Sequence, residues 1–201
     1  MIRELVLKNR SYRRFYQDQE ITTEILKELV DLTRLTASAA NLQPLKYVIS
    51  NTKNNNEKIF KTLGWAGYLK DWDGPKDGER PSAYVVILND TSISKNPSFD
   101  PGIAAQTILL GAVEKGFGGC ILANVNKKEL KSSLNLDEKY EVILVAALGK
   151  PKEEVIIESM DSNKDVKYWR DENKVHHVPK RSLEDIILKV WTYNFWLYPG
   201  K

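Results

Sequence analysis

Apolar positions follow two rhythms along this chain, one helical and one nearly continuous. Between Thr22 and Thr36, Ile25, Leu26, Leu29, Val30 and Leu32 fall on one stripe, while Glu24, Lys27, Glu28, Asp31 and Arg34 face away. That spacing predicts an amphipathic surface helix, and Thr22 and Thr23 suit its start. Lys46–Ser50 and Ser82–Asn89 read as strands, the second continuously apolar from Ala83 to Leu88. Val142–Leu148 is a further such run, ended by Gly149 and Pro151. Strands that are apolar on both sides need cover on both sides. Between these two runs, Ile103–Val113 is apolar nearly all the way round, which predicts a central buried helix. It stops at Gly116-Phe117-Gly118-Gly119, and a short strand, Cys120–Ala123, is expected next. A surface helix over Lys127–Leu134 and a last amphipathic helix over Leu183–Val190 complete the elements. Trp65–Arg80, rich in Gly, Asp and aromatics, reads as a loop or broken helix, and a loop this long is more often functional than idle. The pattern predicts an α+β fold with helices on both faces of a sheet, in one domain spanning residues 1–201.

Composition narrows the chemistry. With 201 residues the chain can bury a core without staples. One cysteine forbids an intrachain disulfide, and Cys120, His176 and His177 are too few for the usual structural zinc site. Thirty Lys and Arg against 27 Asp and Glu leave a charge of +3, so the overall field gives little drive towards nucleic acid. The first ten residues carry Arg3 and Glu4 and lack the apolar core of a secretory signal. No stretch approaches the ~20 apolar residues of a membrane span. A soluble, cytoplasmic protein is expected. Five aromatics crowd Trp191–Tyr198, so the arm over 191–201 either lies on its own domain or crosses to a partner.

Candidate reactive groups are few. There is no Gly-x-Ser-x-Gly elbow, and Cys120, in an expected buried strand, reads as a small hydrophobe. His176-His177 would point to opposite sides if extended, and a loop pair in contact with solvent is expected. Glu153-Glu154 reads as a solvated charge run. The glycines at 116, 118 and 119 end a helix and open a strand, the reverse of a dinucleotide loop, so a helix C-cap is expected. Arg10, Arg13 and Arg14 crowd around Ser11. Guanidinium forks with a hydroxyl suit a phosphate, although such a cluster also occurs as solvated surface. Lys180-Arg181 beside Ser182 form a second basic pair. Ser38-Ala39-Ala40-Asn41-Leu42-Gln43-Pro44 could read an amide-like heterocycle or a polyol, or cap the preceding helix.

In combination these segments resemble the nitroreductase family of flavin-dependent oxidoreductases, over essentially the whole chain. Arg10-Ser11-Tyr12-Arg13-Arg14-Phe15 is similar to the family's Arg-Ser-x-Arg-x-Phe signature, and Ser38–Pro44 to its Ser-x-x-Asn-x-Gln-Pro element. Asp100–Gly119 is similar to its buried core helix with the closing Gly-x-Gly, and Pro179-Lys180-Arg181-Ser182-Leu183 to its C-terminal basic signature. Four motifs in the right order are a specific match. The resemblance implies a mostly antiparallel sheet and a homodimer with FMN in two sites at the subunit interface. It assigns Arg10, Ser11, Lys180 and Arg181 to the phosphate and places Arg13 towards flavin N1 and the C2 carbonyl. Ser38, Asn41 and Gln43 would reach the flavin from the other subunit, with backbone groups near Ala123 and Asn124 facing N5. A cation near N1 favours the reduced flavin, and a borrowed cofactor accounts for the missing acid, base or nucleophile.

The implied activity is ping-pong transfer from NADH or NADPH through flavin N5 to a nitroaromatic, a quinone or a similar acceptor. A dehalogenase or dehydrogenase of one substrate, or a flavin carrier that turns nothing over, are the alternatives. The sequence departs from the family pattern at Asn9, Ala37 and Leu45, where Arg, Pro and Trp are common. Trp65, Tyr68 and Trp72 could stack on an aromatic acceptor or simply pack.

Overall fold

The computed structural model describes residues 1–160 and 165–191, which divide into two compact units between Glu154 and Val155. In the first, the elements run α1 (Ile2–Lys8), β1 (Phe15–Tyr16), α2 (Thr23–Arg34), a 3-10 turn (Ala39–Asn41), β2 (Leu45–Ser50), α3 (Lys53–Phe60) and β3 (Ala83–Asp90). Then come α4 (Asp100–Glu114), β4 (Gly118–Leu122), α5 (Lys127–Ser133) and β5 (Tyr140–Pro151). All pairings in the five-stranded sheet are antiparallel: β2 with β3, β3 with β5, and β5 with both β4 and β1. The fold is α+β with a mostly antiparallel sheet, as the sequence implies.

The continuous apolar strand has two covered faces. On β3, Ala83, Val85 and Ile87 pack with Leu26 and Leu29 of α2 and Ala105, Ile108 and Leu109 of α4. Tyr84, Val86 and Leu88 pack on the other side with Ile59 of α3 and Leu130 of α5. The same division holds on β5, with one slip. Ile87 pairs with Leu144 but Leu88 with Val142, so Ile143 is an extra residue that switches facing parity. Val142 can therefore share a face with Val145 and Ala147, while Leu144, Ala146 and Leu148 line the other.

The expected helices over α2, α4 and α5, and the strands β2 to β5, are present. The glycine-rich segment is a helix cap. Phe117 N–H bonds to Ala112 C=O and Gly116 N–H to Val113 C=O, with Gly116 at φ +79°. This double bond closes α4 and needs a left-handed residue where glycine stands. Helix α3 was not expected, because its sequence, KNNNEKIF, is mostly polar and buries only Ile59.

The second unit carries β6 (Val155–Met160), β7 (Trp169–Arg170), β8 (His176–Arg181) and α6 (Leu183–Ile186). β8 lies parallel to β6 and antiparallel to β7. The helix expected over Leu183–Val190 stops at Ile186, with Leu188, Val190 and Trp191 exposed and no described partner for an apolar stripe. Of the aromatic arm, residues 192–201 lie outside the described residues.

Candidate cofactor site

Three elements hold the Arg10–Phe15 segment in place. After α1, Asn9 is buried and its Nδ2 donates to Gln106 Oε1 of α4 at 3.3 Å. Ser11 bridges Gly119 at the start of β4, and Tyr12 N–H donates to Gly119 C=O at 3.1 Å. Here the glycines are needed for close approach. A Cβ at Gly118 would stand 2.6 Å from the Tyr12 ring, and one at Gly119 would stand 2.2 Å from the Ala147 carbonyl.

The third support is Glu153. Its Oε1 accepts the backbone N–H groups of Arg13 and Arg14, at 2.5 and 3.2 Å. Glu153 is buried, which corrects the expectation of a solvated charge run for Glu153. Arg14 turns away from the other basic residues and grips Glu79 through two bonds, 2.8 Å from Nε and 2.7 Å from Nη2. Lys152 Nζ joins at 3.2 Å. The Arg14 hydrogen bond, with Lys152 assisting, holds the Glu79 carboxyl down at about 2 despite burial. Arg14 and Glu79 thus tie the N-terminal segment to the end of the Trp65–Arg80 loop.

That arrangement leaves Arg10, Ser11 and Arg13 together beside β4. Arg10 Nη2 donates to Val6 C=O at 2.6 Å and Arg13 Nη1 to Ser11 C=O at 3.1 Å. Arg10 Nε is buried and, among the described residues, makes no hydrogen bond. An orphaned guanidinium donor is costly unless an anion reaches it. Cys120, on the neighbouring strand, is buried as expected, and burial pushes its thiol up to about 12, so it is no nucleophile.

Ala123 and Asn124 follow β4 and are exposed. Asn124 C=O accepts Gly64 N–H at 2.8 Å, and a Cβ on Gly64 would fall 2.0 Å from Asn124 Nδ2. The backbone expected to face flavin N5 is therefore stitched to the root of the long loop. Inside that loop Trp65 is buried against Phe60 and Trp72, with ring centroids 5.7 and 6.4 Å apart, so packing accounts for it. Tyr68 is half exposed.

Ser38, Asn41 and Gln43 form a cluster of their own around the 3-10 turn. Ala40, Asn41 and Gln43 have φ of 48°, 54° and 53°. Each left-handed non-glycine residue costs roughly 1 kcal/mol or more, so contacts elsewhere must impose the conformation. Ser38 Oγ donates to Asp100 Oδ2 at 2.6 Å and accepts Gln43 N–H at 2.9 Å. Its hydroxyl is engaged within the chain. Gln43 Nε2 donates to Asn41 C=O and Oδ1 at 3.2 and 3.1 Å, and both side chains are exposed.

Lys180 and Arg181 end β8 in the second unit, opposite Ser159 and Met160, and are exposed. On the same strand the histidines are not the solvent-facing loop pair that was expected. His176 is buried with its ring 5.1 Å from that of Tyr168. His177 stacks on Trp169 at 4.0 Å, with Glu158 Oε1 2.7 Å from Nδ1 and Asp171 Oδ2 3.5 Å from Nε2. The supporting carboxylates Glu79, Asp100 and Glu153 escaped the sequence reading. Only Asp100, beside Pro101 at a helix start, carried even a local signal.

The fold is α+β, and Arg10, Ser11 and Arg13 lie beside β4 at the edge of its doubly covered sheet. The nitroreductase family model matches residues 6–150, and the chain belongs to that family. MhqN of Bacillus subtilis (strain 168), provisionally named an NAD(P)H nitroreductase, is 27% identical over 183 residues, covering 75% of this chain and 88% of MhqN. A nitroreductase family protein from Clostridium novyi NT superposes with a TM-score of 0.62 at 22% identity, covering 76% of this chain and 87% of that one. The NADPH:FMN oxidoreductase from Vibrio harveyi, complexed with NAD+, gives 0.58 at 22% identity, covering 74% and 68%.

Proposed function

We propose that the protein is an FMN-dependent oxidoreductase that passes reducing equivalents from NADH or NADPH to a nitroaromatic, a quinone or a similar acceptor, the two substrates using the site in turn. The observation that carries this reading is Arg10, whose Nε is buried beside Ser11 and makes no hydrogen bond among the described residues, in a chain of this family. The residues present fit the phosphate of FMN. Arg10 offers a charge-assisted donor, Ser11 a hydroxyl, and the segment is already fixed by Gly119 and Glu153. Bound FMN supplies the hydride-accepting centre that the side chains lack.

The chain's own residues bind and orient. Arg13 is assigned by the family signature to flavin N1 and the C2 carbonyl, where its positive charge would favour the reduced flavin, and Asn41 and Gln43 present ordered carboxamides suited to a heterocycle's donors and acceptors. Lys180 and Arg181 are assigned to the phosphate by the C-terminal family signature. Ala123 and Asn124 offer exposed backbone after β4. The active form is a homodimer. Val6 and Leu7 of α1, Leu42, Phe99 and Ile103 are exposed apolar residues that a second copy would cover. No described helix is long and apolar enough to cross a membrane, and a cytoplasmic setting agrees with a lone buried thiol.

The test is anaerobic mixing of the FMN-loaded protein with NADH and with NADPH, followed by a nitroaromatic or quinone. Bleaching of the flavin by the nicotinamide and recovery of its colour on adding acceptor is expected. A bound flavin that neither nicotinamide reduces would overturn the reading.

A further inference from the structure

We infer that Asp100 is a positioning residue for the cofactor: from the first turn of α4 it holds the Ser38–Gln43 loop in the strained shape that presents Asn41 and Gln43 to the flavin. This rests on the function proposed above and assigns the carboxylate a role in it.

Three observations converge on Asp100. The loop carries left-handed φ at Ala40, Asn41 and Gln43, none of them glycine. Local preference cannot account for three such residues within four positions, and Ala40 has no side-chain polar group to compensate. Both oxygens of Asp100 are committed to this loop, 62 and 61 positions away in sequence. Oδ2 accepts the Ser38 hydroxyl at 2.6 Å and Oδ1 accepts Ala39 N–H at 3.0 Å. The chain of bonds then continues, because Ser38 Oγ accepts Gln43 N–H at 2.9 Å. One buried carboxylate, 5% exposed, therefore fixes both ends of the left-handed stretch.

The placement suits such a task. An acidic side chain in the first turn of a helix is favoured by the helix dipole, which suits a buried carboxyl group that accepts two hydrogen bonds there. Helix α4 is wedged into the main core through Ala104, Ala105, Ile108 and Leu109, so its first turn is a rigid anchor. The exposed products of the clasp are two carboxamides already joined by Gln43 Nε2 to Asn41 Oδ1, at 3.1 Å. Holding them in place beforehand lowers the ordering cost when a ligand arrives. The Ser38 hydroxyl is a link in this clasp rather than a direct ligand.

The experiment compares FMN dissociation constants, by fluorescence quenching, for wild type, Asp100→Ala, Ser38→Ala, and Asp100→Ala combined with Ala40→Gly. Asp100→Ala is expected to weaken FMN binding at least tenfold, and Ser38→Ala to weaken it in the same direction by less. Glycine at position 40 removes the steric cost of the left-handed turn, so the double variant should recover a substantial part of the loss. A merely structural or long-range charge role would not give that recovery. If the Asp100→Ala chain does not fold, Ser38→Ala and its combination with Ala40→Gly carry the same comparison. FMN binding at wild-type strength in Asp100→Ala and Ser38→Ala, or a loss that glycine at 40 leaves untouched, overturns the inference while leaving the flavin reading intact. A wild-type protein that binds no FMN overturns both.

Discussion

A single carboxylate oxygen of Glu153 accepts the backbone N–H groups of both Arg13 and Arg14, reaching across 140 and 139 positions of sequence. The end of the long strand β5 is thereby tied to the loop that presents the basic residues. Removing the acceptor strands two amides in a part-buried setting. Glu153→Ala should therefore cost about 2 kcal/mol or more, read as a lower urea midpoint. Glu153→Gln keeps one acceptor oxygen and should lose clearly less. Equal stability of the alanine variant and wild type would show that the contact does not support the loop.

The Arg14–Glu79–Lys152 cluster predicts an acid-sensitive stability. Glu79 has its folded value depressed from 4.5 to about 2, so its contribution is fully present above pH 4.5. It is lost as pH falls from there through about 2. The shift corresponds to on the order of 3 kcal/mol for a pair with side chains 12% and 20% exposed. Wild type should lose more stability than Glu79→Gln between pH 5 and pH 2. Parallel pH–stability curves for the two proteins would count against the assignment.

His177 predicts the opposite sign. Burial opposes its charge, but Glu158 and Asp171 on either side more than offset this and raise its value above 6.5. The imidazolium therefore contributes stability that is present below pH 6.5 and lost as pH rises through the raised value. NMR titration of the His177 ring should give a midpoint above 6.5 that falls in Glu158→Gln. A midpoint at or below 6.5 would refute the ion pairing.

Cys120 should be inert in the native protein. Its thiol is buried between Gly119 and Ile121 on β4, and burial pushes it up to about 12. A disulfide exchange reagent should react only after unfolding. Rapid modification of the folded protein would contradict the packing of β4.

Much of the first unit is legible in the sequence, for reasons that particular residues make plain. Ala83–Leu88 has no polar alternation because α2 and α4 cover one face and α3 and α5 the other. Gly116 marks the end of α4 because its backbone must turn left-handed there. Helix α3 is hidden because its polar run shows only Ile59 to the core. Strand β8 is hidden too. Its HHVPKR sequence holds a proline and four cationic or imidazole side chains, and what orders it is pairing with β6 and stacking of His177 on Trp169. The basic residues of the site stand out in sequence, but their sorting does not. Only the fold shows that Arg14 belongs to Glu79 while Arg10 keeps a buried Nε that makes no hydrogen bond among the described residues. The carboxylates that arrange the site lie 60 or more positions from the loops they hold, and apart from the helix start at Asp100-Pro101 no local pattern betrays them.

The central claim is that Arg10 and its neighbours hold the phosphate of FMN. Its most direct test is calorimetric titration of the apoprotein with FMN, for wild type and for Arg10→Ala. Wild type should bind one FMN per chain. Arg10→Ala should bind at least tenfold more weakly with little change in melting temperature, since a charge-assisted hydrogen bond contributes about 1.5–3 kcal/mol. No binding to wild type, or equal affinity in the two proteins, would contradict the account.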